Sequence, residues 1–251
     1  MVNDKLPLKS KLAYGGLGAG INLSSQIAFS AITFFYNTVI GLDAKLIGIA
    51  WLIFSFWNAI NDPLFGFIED HTKSEKYGRR IPYIRFGAPL YGLSFILCWI
   101  PFVDLNSQIA LFFNFITVIF IFDTLFTILG LINFTLPAEM AITAKERTNL
   151  LIYSTIISSS AYLISFIIPL FLLTGSDAPS SPQPFIITMI IVGVFSTIIL
   201  FISSYYLKEN KYTQMEETLP VLQGIKETFK NKPFMVFEVA NFSFTIAQTI
   251  L

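Results

Sequence analysis

Long apolar runs alternate with short polar breaks along this chain, and the lengths of both predict a bundle of membrane-spanning helices. Seven apolar stretches follow one another: Leu12–Ile40, Leu46–Ile68, Tyr83–Val103, Ile109–Leu136, Leu150–Leu173, Pro184–Leu207 and Pro233–Leu251. Each holds about 20 residues or more, the length a helix needs to cross the hydrocarbon core. The seventh is cut short by the end of the sequence. The breaks are of two kinds. Those after the first, third and fifth runs carry few charges, as in Asp104-Leu105-Asn106-Ser107-Gln108 and the Ser/Pro/Gly loop Gly175–Pro182. Those after the second and fourth are basic, and so are the N-terminus and the long polar segment Lys208–Lys232. A short amphipathic helix is expected within that segment, around Val221–Phe229.

This alternation sets an orientation. Of the 16 basic residues, only Lys45 falls on the side opposite the rest. Basic residues near span ends collect on the cytoplasmic side, so the N-terminus and the 208–232 segment are expected in the cytoplasm of a multi-pass protein of the cell (plasma) membrane. The fold expected is all-α and polytopic. A six-helix bundle occupies residues 1–207, a cytoplasmic linker 208–232, and a truncated first helix of a second bundle 233–251. Six helices, a linker and a helix running outward again make half of a two-bundle carrier. The natural chain is therefore expected to continue past Leu251, or a missing C-terminal bundle or second subunit to complete it.

Composition supports the membrane assignment. The chain is 54% hydrophobic, with 27 Phe and only 13% charged residues, about half the usual charged share of a soluble domain. A net charge of zero gives no case for nucleic-acid binding. The single cysteine, Cys98, forms no internal disulfide, and the single histidine, His71, reads as a solvated loop residue; neither supports a metal site. No Ser/His/Asp set, CxxC pair or pair of catalytic carboxylates is present, so no enzyme activity and no cofactor are expected. The glycines at 15, 16, 18 and 20 match no phosphate loop and read as a surface for close helix packing.

Polar side chains recur at helical spacing inside the apolar runs. Asn22, Gln26, Ser30, Thr33 and Asn37 fall on one face of the first span. Ser55, Asn58 and Asp62 share a face of the second, and Ser154, Ser158, Tyr162 and Ser165 a face of the fifth. Amides and hydroxyls supply the donors and acceptors that a polyhydroxylated ligand needs; they also serve as packing glue between membrane helices. Both readings stand for each stripe.

Acidic residues at membrane depth are costly and mark function by default. Asp62 lies about 10 Å below the basic hairpin at 1.5 Å per residue. Ionised, it would bind a cation with Asn58 and Asn61 as neutral partners; protonated, it would carry H⁺ on a pKa raised by desolvation. A structural reading, pairing with the hairpin arginines or with helix-end N–H groups, weighs equally. Asp123 lies mid-way along the fourth span with no basic residue at its depth and is a second coupling candidate. Glu69, Asp70, Arg79 and Arg80 bracket the hairpin as breakable ion pairs suited to a cytoplasmic gate, or simply as charges that set topology.

Three blocks carry a family resemblance. Asn61-Asp62-Pro63, Gly66, Thr72, Gly78-Arg79-Arg80 and Pro82 form the first. Lys11-Leu12-Ala13-Tyr14-Gly15, with Tyr36 and Val39-Ile40-Gly41-Leu42, forms the second. Leu136-Pro137-Ala138-Glu139-Met140, followed by Glu146-Arg147-Thr148-Asn149-Leu150, forms the third. In this order they resemble the glycoside–pentoside–hexuronide:cation symporters, the melibiose permease-like branch of the major facilitator superfamily. The resemblance covers the chain as the N-terminal half of such a carrier plus the start of the second half. It implies twelve helices in two bundles and alternating-access uptake of a sugar or glycoside driven by H⁺, Na⁺ or Li⁺. Carried over by position, the second-helix cation site falls on Asn58 and Asp62, both aspartates in melibiose permease. The first-helix sugar aspartate falls on Asn22, and the fourth-helix one at Leu129 or Gly130. A sugar-stacking tryptophan falls on Asn133 and a fifth-helix arginine on Thr155. In the wider superfamily the hairpin resembles a charge network that holds the cytoplasmic side closed.

The function expected is thus sugar or glycoside:cation symport. Asp62, Asn58 and Asp123 are the coupling residues. Asn22, Gln26, Asn58, Asn133 and Thr155 meet the substrate, and Glu69, Asp70, Arg79 and Arg80 form the gate. Two alternatives remain open at this point: a lysolipid transporter of the same fold, which the Phe-rich chain and its neutral sugar positions permit, and a non-transporting membrane fragment or scaffold.

Overall fold

The computed structural model describes residues 5–72, 78–173, 182–209 and 229–250. They belong to two compact units, Met1–Gln214 and Met215–Leu251. The first holds α1 (Leu8–Phe34), α2 (Ala44–His71), α3 (Ile81–Leu97), α4 (Gln108–Met140), α5 (Ala144–Leu173) and α6 (Gln183–Tyr206); the second holds α7 (Lys232–Ile250). A helix stands at each of the seven apolar runs, and the described residues include no strand. The protein is an all-α polytopic membrane protein. The amphipathic helix expected around Val221–Phe229 lies almost wholly outside the described residues.

Local chemistry marks several of the boundaries. The last turn before the first loop, Phe35–Ile40, winds as a π-helix and stops at Gly41, whose φ of +88° suits a residue without a Cβ. Asp43 caps α2 by accepting from the Lys45 N–H at 2.7 Å, and Ser107 caps α4 by accepting from Ala110 N–H at 3.3 Å. The third span is shorter than its apolar run. Tyr83–Val103 is the expected stretch, yet α3 ends at Leu97, because Pro101 disfavours the helical conformation just before it. Among the described residues α2, α4, α5 and α6 are long and apolar enough to cross a membrane, while α3 is apolar but short. Their outer faces carry exposed large side chains such as Phe56, Phe134 and Phe171, as surfaces in contact with lipid tails do.

In the first unit α1 packs on α5 and α6, α4 packs on α2 and α3, and α3 packs on α6. Exchanging α1 with α4, α2 with α5 and α3 with α6 maps these main contacts onto themselves. Because α1 starts and α4 ends at the same end of the bundle, the two three-helix repeats are inverted. Helices in lipid gain little from apolar contact alone, so their interfaces favour small residues that let backbones approach. Here Gly15 and Gly18 face α5, and Gly16 and Gly20 face α6. A Cβ on Gly18 would stand 2.5 Å from Ser158 Oγ, and one on Gly20 would stand 2.9 Å from Leu200 Cγ. Ser154 also meets Gly18, so the N-terminal part of the fifth-span serine stripe packs against α1.

Polar contacts tie each end. At the basic end, Lys11 pairs with Glu146 at 2.9 Å, which also accepts from the Leu6 N–H at 3.1 Å. Ser10 donates its hydroxyl to the Tyr206 carbonyl at 2.8 Å. Glu209, just past α6, accepts from the N–H groups of Arg79, Arg80 and Ile81 at 2.7, 2.7 and 3.0 Å. These donors are the orphan amides at the start of α3, and the helix dipole favours an anion there. At the other end, Gln108 accepts from the Asp43 N–H at 2.9 Å and donates to the Gly41 carbonyl at 2.8 Å. Phe35, Trp99 and Phe185 pack there with ring centroids 5.1 to 5.5 Å apart.

Two outcomes test this packing. Gly18→Leu should destabilise the bundle by about 1–3 kcal/mol through overpacking, read as a lower detergent melting temperature. Gly130→Ala, at a site with nothing within 4 Å of the added Cβ, should not lower it; equal shifts would refute the close α1–α5 contact. Glu209→Ala should cost about 1 kcal/mol at the start of α3, by analogy with N-cap losses, seen as faster amide exchange over Arg79–Tyr83. Unchanged protection there would mean the cap is not formed.

Candidate cation and substrate site

The second and fourth helices meet through side chains of unlike character. Asn61 is fully buried on the face of α2 that meets α4, while its neighbour Asp62 is turned to the exposed side. On α4, Asp123 and Thr127 are spaced by four residues and so share a face; both are buried, at 2% and 4% exposure. The Asn61 amide donates to Asp123 Oδ2 at 2.7 Å and to Thr127 Oγ1 at 2.9 Å. Thr127 in turn donates to Asp62 Oδ1 at 3.2 Å. Two carboxylates from different helices are thereby joined through one amide and one hydroxyl. The carbonyl oxygen of Asn61 is buried and accepts no hydrogen bond, which is unusual for a buried polar atom. Pro63 lacks an N–H, so the Ala59 carbonyl one turn back loses its helical donor. Carboxylates, an amide oxygen and a hydroxyl in one place are the oxygen donors a hard monovalent cation takes, and the carboxylates alone can hold a proton.

The expected coupling residues divide. Asp62 and Asp123 come together in this cluster, whereas Asn58, one turn before Asp62, is exposed and takes no part in its hydrogen bonds. The five expected substrate positions are placed on four helices. Asn22 and Gln26 are half-buried on α1, Asn58 and Thr155 are exposed on α2 and α5, and Asn133 is half-buried on α4. No hydrogen bond joins any two of them among the described residues. The Asn133 carbonyl accepts from Tyr14 Oη at 2.7 Å, and its side-chain oxygen is buried without a partner. Farther along the first-span stripe, Ser30, Thr33 and Asn37 are exposed, and Thr33 Oγ1 accepts from Trp51 Nε1 at 2.9 Å.

At the basic end, Arg79 and Arg80 both reach Glu139 near the end of α4, at 2.5 and 3.3 Å. Arg80 is 5% exposed and Glu69 is 2% exposed, so both belong to the buried end of the bundle. The side chain of Asp70, and residues 73–77 of the hairpin with Lys73 and Lys76, lie outside the described residues.

Three residues of these sites are absent from the sequence-derived set. Thr127 lies four residues after Asp123, so the same spacing rule that drew the stripes could have found it. Glu139 stands in the Pro137-Ala138-Glu139 block, whose resemblance was noted without a role. Glu209 has no local signal, since a lone acid beside Lys208 in a polar segment looks like ordinary solvated sequence.

Comparisons with known proteins agree with the helical plan. A family model described as MFS/sugar transport protein matches residues 13–251. An uncharacterised symporter of Synechocystis is 32% identical over 184 residues, which are 72% of this chain and 33% of that protein. The isoprimeverose transporter of Lactiplantibacillus pentosus is 24% identical over 249 residues, 98% of this chain and 51% of that protein. A sodium-dependent lysophosphatidylcholine symporter of Gallus gallus is 29% identical over 96 residues, 38% of this chain and 18% of that protein. The chain thus spans about half the length of these relatives, or less. The family match takes in every helix from α1 to α7, and this chain belongs to the MFS/sugar transport protein family of the major facilitator superfamily.

Proposed function

We propose that this chain forms the N-terminal bundle of a secondary transporter that carries a sugar or glycoside together with H⁺ or Na⁺ by alternating access. The observation that carries this reading is the Asn61–Asp62–Asp123–Thr127 cluster. Two carboxylates share an apolar bundle with no basic side chain hydrogen-bonded or ion-paired to them among the described residues. Keeping two like charges joined this closely, one of them buried, is costly, so uptake of one cation or proton stabilises the cluster and fixes α2 against α4. Asp62 sits on the exposed side, where an ion arrives; Asp123 sits behind it. The substrate lies against the polar stripe of α1, with Asn22, Gln26, Asn58, Asn133 and Thr155 as its donors and acceptors. A second six-helix bundle, from the same polypeptide or a partner, supplies the facing wall. The basic end, with Arg79, Arg80, Glu69, Asp70 and Glu139, forms the cytoplasmic gate, and the N-terminus lies in the cytoplasm of a cell-membrane carrier. The transporter named for isoprimeverose among the relatives favours a glycoside, and the family is one of carriers rather than enzymes.

A specific observation also favours a lysolipid as the substrate. An apolar groove of about 520 Å³ runs between α2, α3 and α4, walled by Trp57, Leu90, Leu93, Phe120 and Ile121. Its apolar walls suit an acyl tail, in line with the relative named for lysophosphatidylcholine.

The two substrates separate by uptake of labelled glycosides or lysolipids into energised vesicles holding the assembled carrier. Glycoside uptake should depend on an imposed H⁺ or Na⁺ gradient. Asp62→Asn and Asp123→Asn should each lower gradient-driven uptake at least about tenfold, a transition-state or coupling loss of roughly 1.4 kcal/mol, while substrate exchange without a gradient persists. No uptake of any glycoside across a broad panel, with Asp62→Asn indistinguishable from wild type, would overturn the symport reading; uptake of lysolipid alone would establish the second.

A further inference from the structure

The start of α1 and the end of α6 enclose a second cleft, at the basic end and away from the polar cluster. Its volume is about 370 Å³, and it is lined by Lys9, Leu12 and Ala13 from α1 and by Ile199, Ile202, Ser203 and Tyr206 from α6. Positions 9, 12 and 13 recur at helical spacing, as do 199, 202, 203 and 206, so two ridges face one another. The floor is Gly16: a Cβ there would lie 2.8 Å from Ser203 Oγ and 3.5 Å from Ile199 Cγ2. The walls are apolar, yet two polar groups look into the cleft. Ser203 is 4% exposed, and its hydroxyl makes no hydrogen bond among the described residues. Lys9 is exposed and makes no ion pair among the described residues, whereas Lys11, two residues on, is held by Glu146. Tyr206 also lines the cleft, and the Ser10 hydroxyl bound to its backbone carbonyl fixes the two helix ends together.

An apolar slot with a hydroxyl inside it, and at its mouth an ammonium that makes no ion pair among the described residues, suits one kind of molecule. We propose that the α1–α6 cleft is a binding site for an anionic phospholipid of the surrounding bilayer. One acyl chain lies along Leu12, Ile199 and Ile202. The phosphate sits at Lys9, with the Tyr206 phenol and Ser203 hydroxyl as further donors. The basic end is where an anionic leaflet surface attracts lysines. An ordinary boundary lipid needs only the apolar wall; the Lys9 ammonium adds a preference for negative charge. None of the residues lining the cleft is used by the transport reading, so the proposal stands whether the substrate is a glycoside or a lysolipid.

Native mass spectrometry of the purified chain, delipidated and titrated with phosphatidylglycerol or phosphatidylcholine, tests this. Wild type should retain one phosphatidylglycerol about fivefold better than phosphatidylcholine, the worth of one basic residue at an anionic surface. Lys9→Gln should abolish the preference and Lys9→Arg should keep it. Lys5→Gln, outside the cleft, should leave it unchanged. Equal retention of the two lipids by wild type would overturn the proposal. So would a preference that survives Lys9→Gln, or one lost equally in Lys5→Gln. Displacement of the lipid by inorganic phosphate would assign the cation to a free anion instead and would also overturn it.

Discussion

The contact on which the rest of the first unit depends is the close approach of α1 to α5 and α6. In hydrocarbon there is no water to expel from between two helices, so apolar surface alone gives them little reason to associate. Dispersion, which falls steeply with distance, must do it. Four glycines in the first turns of α1 shorten the distance to both neighbours, and Ser154, Ser158, Ser203 and Leu200 fill the space the missing side chains leave. With one face of α1 committed in this way, the stripe from Asn22 to Asn37 comes progressively to the open side. The packing face and the polar face are thus two consequences of one arrangement.

The inverted counterpart of that contact, α2 on α4, is built differently. It holds aromatic layers, with Trp57 stacked on Phe120 at 5.3 Å, and below them the buried amide of Asn61. An amide there has both donors engaged, on Asp123 and Thr127, while its oxygen is left without a donor. A fully satisfied network would make this a rigid strut. The unmatched oxygen and the two carboxylates leave this one incompletely satisfied, and in the proposed function its stability depends on what charge is bound.

At the basic end, acids from three different helices or loops hold the cations and helix ends: Glu139 on α4, Glu146 on α5 and Glu209 after α6. Surface ion pairs are worth little on their own. Here the pairs between Arg79, Arg80 and Glu139 are mostly buried, and the Glu209 contacts are made to backbone amides. Glu209 therefore joins the end of α6 to the start of α3, so the chain leaving the bundle begins from a fixed point.

Much of this was readable in one dimension. A span must keep its side chains apolar and satisfy its backbone within itself, so helix number, approximate length and the sidedness of the charges follow from composition and order. The polar stripes and the depth of Asp62 and Asp123 follow from the 3.6-residue period, and the glycines of α1 announce a close neighbour without naming it. Which neighbour, and which atoms meet, was decided only in three dimensions. Asp62 and Asp123 are separated by sixty intervening residues or so and share a site because α2 lies on α4. Arg79 and Arg80 take Glu139 as a partner because α4 ends beside α3, and Glu209 finds the start of α3 because α6 returns to the same end. Spacing along one helix is fixed by covalent geometry, whereas pairing between helices is set by interfaces that no single helix encodes.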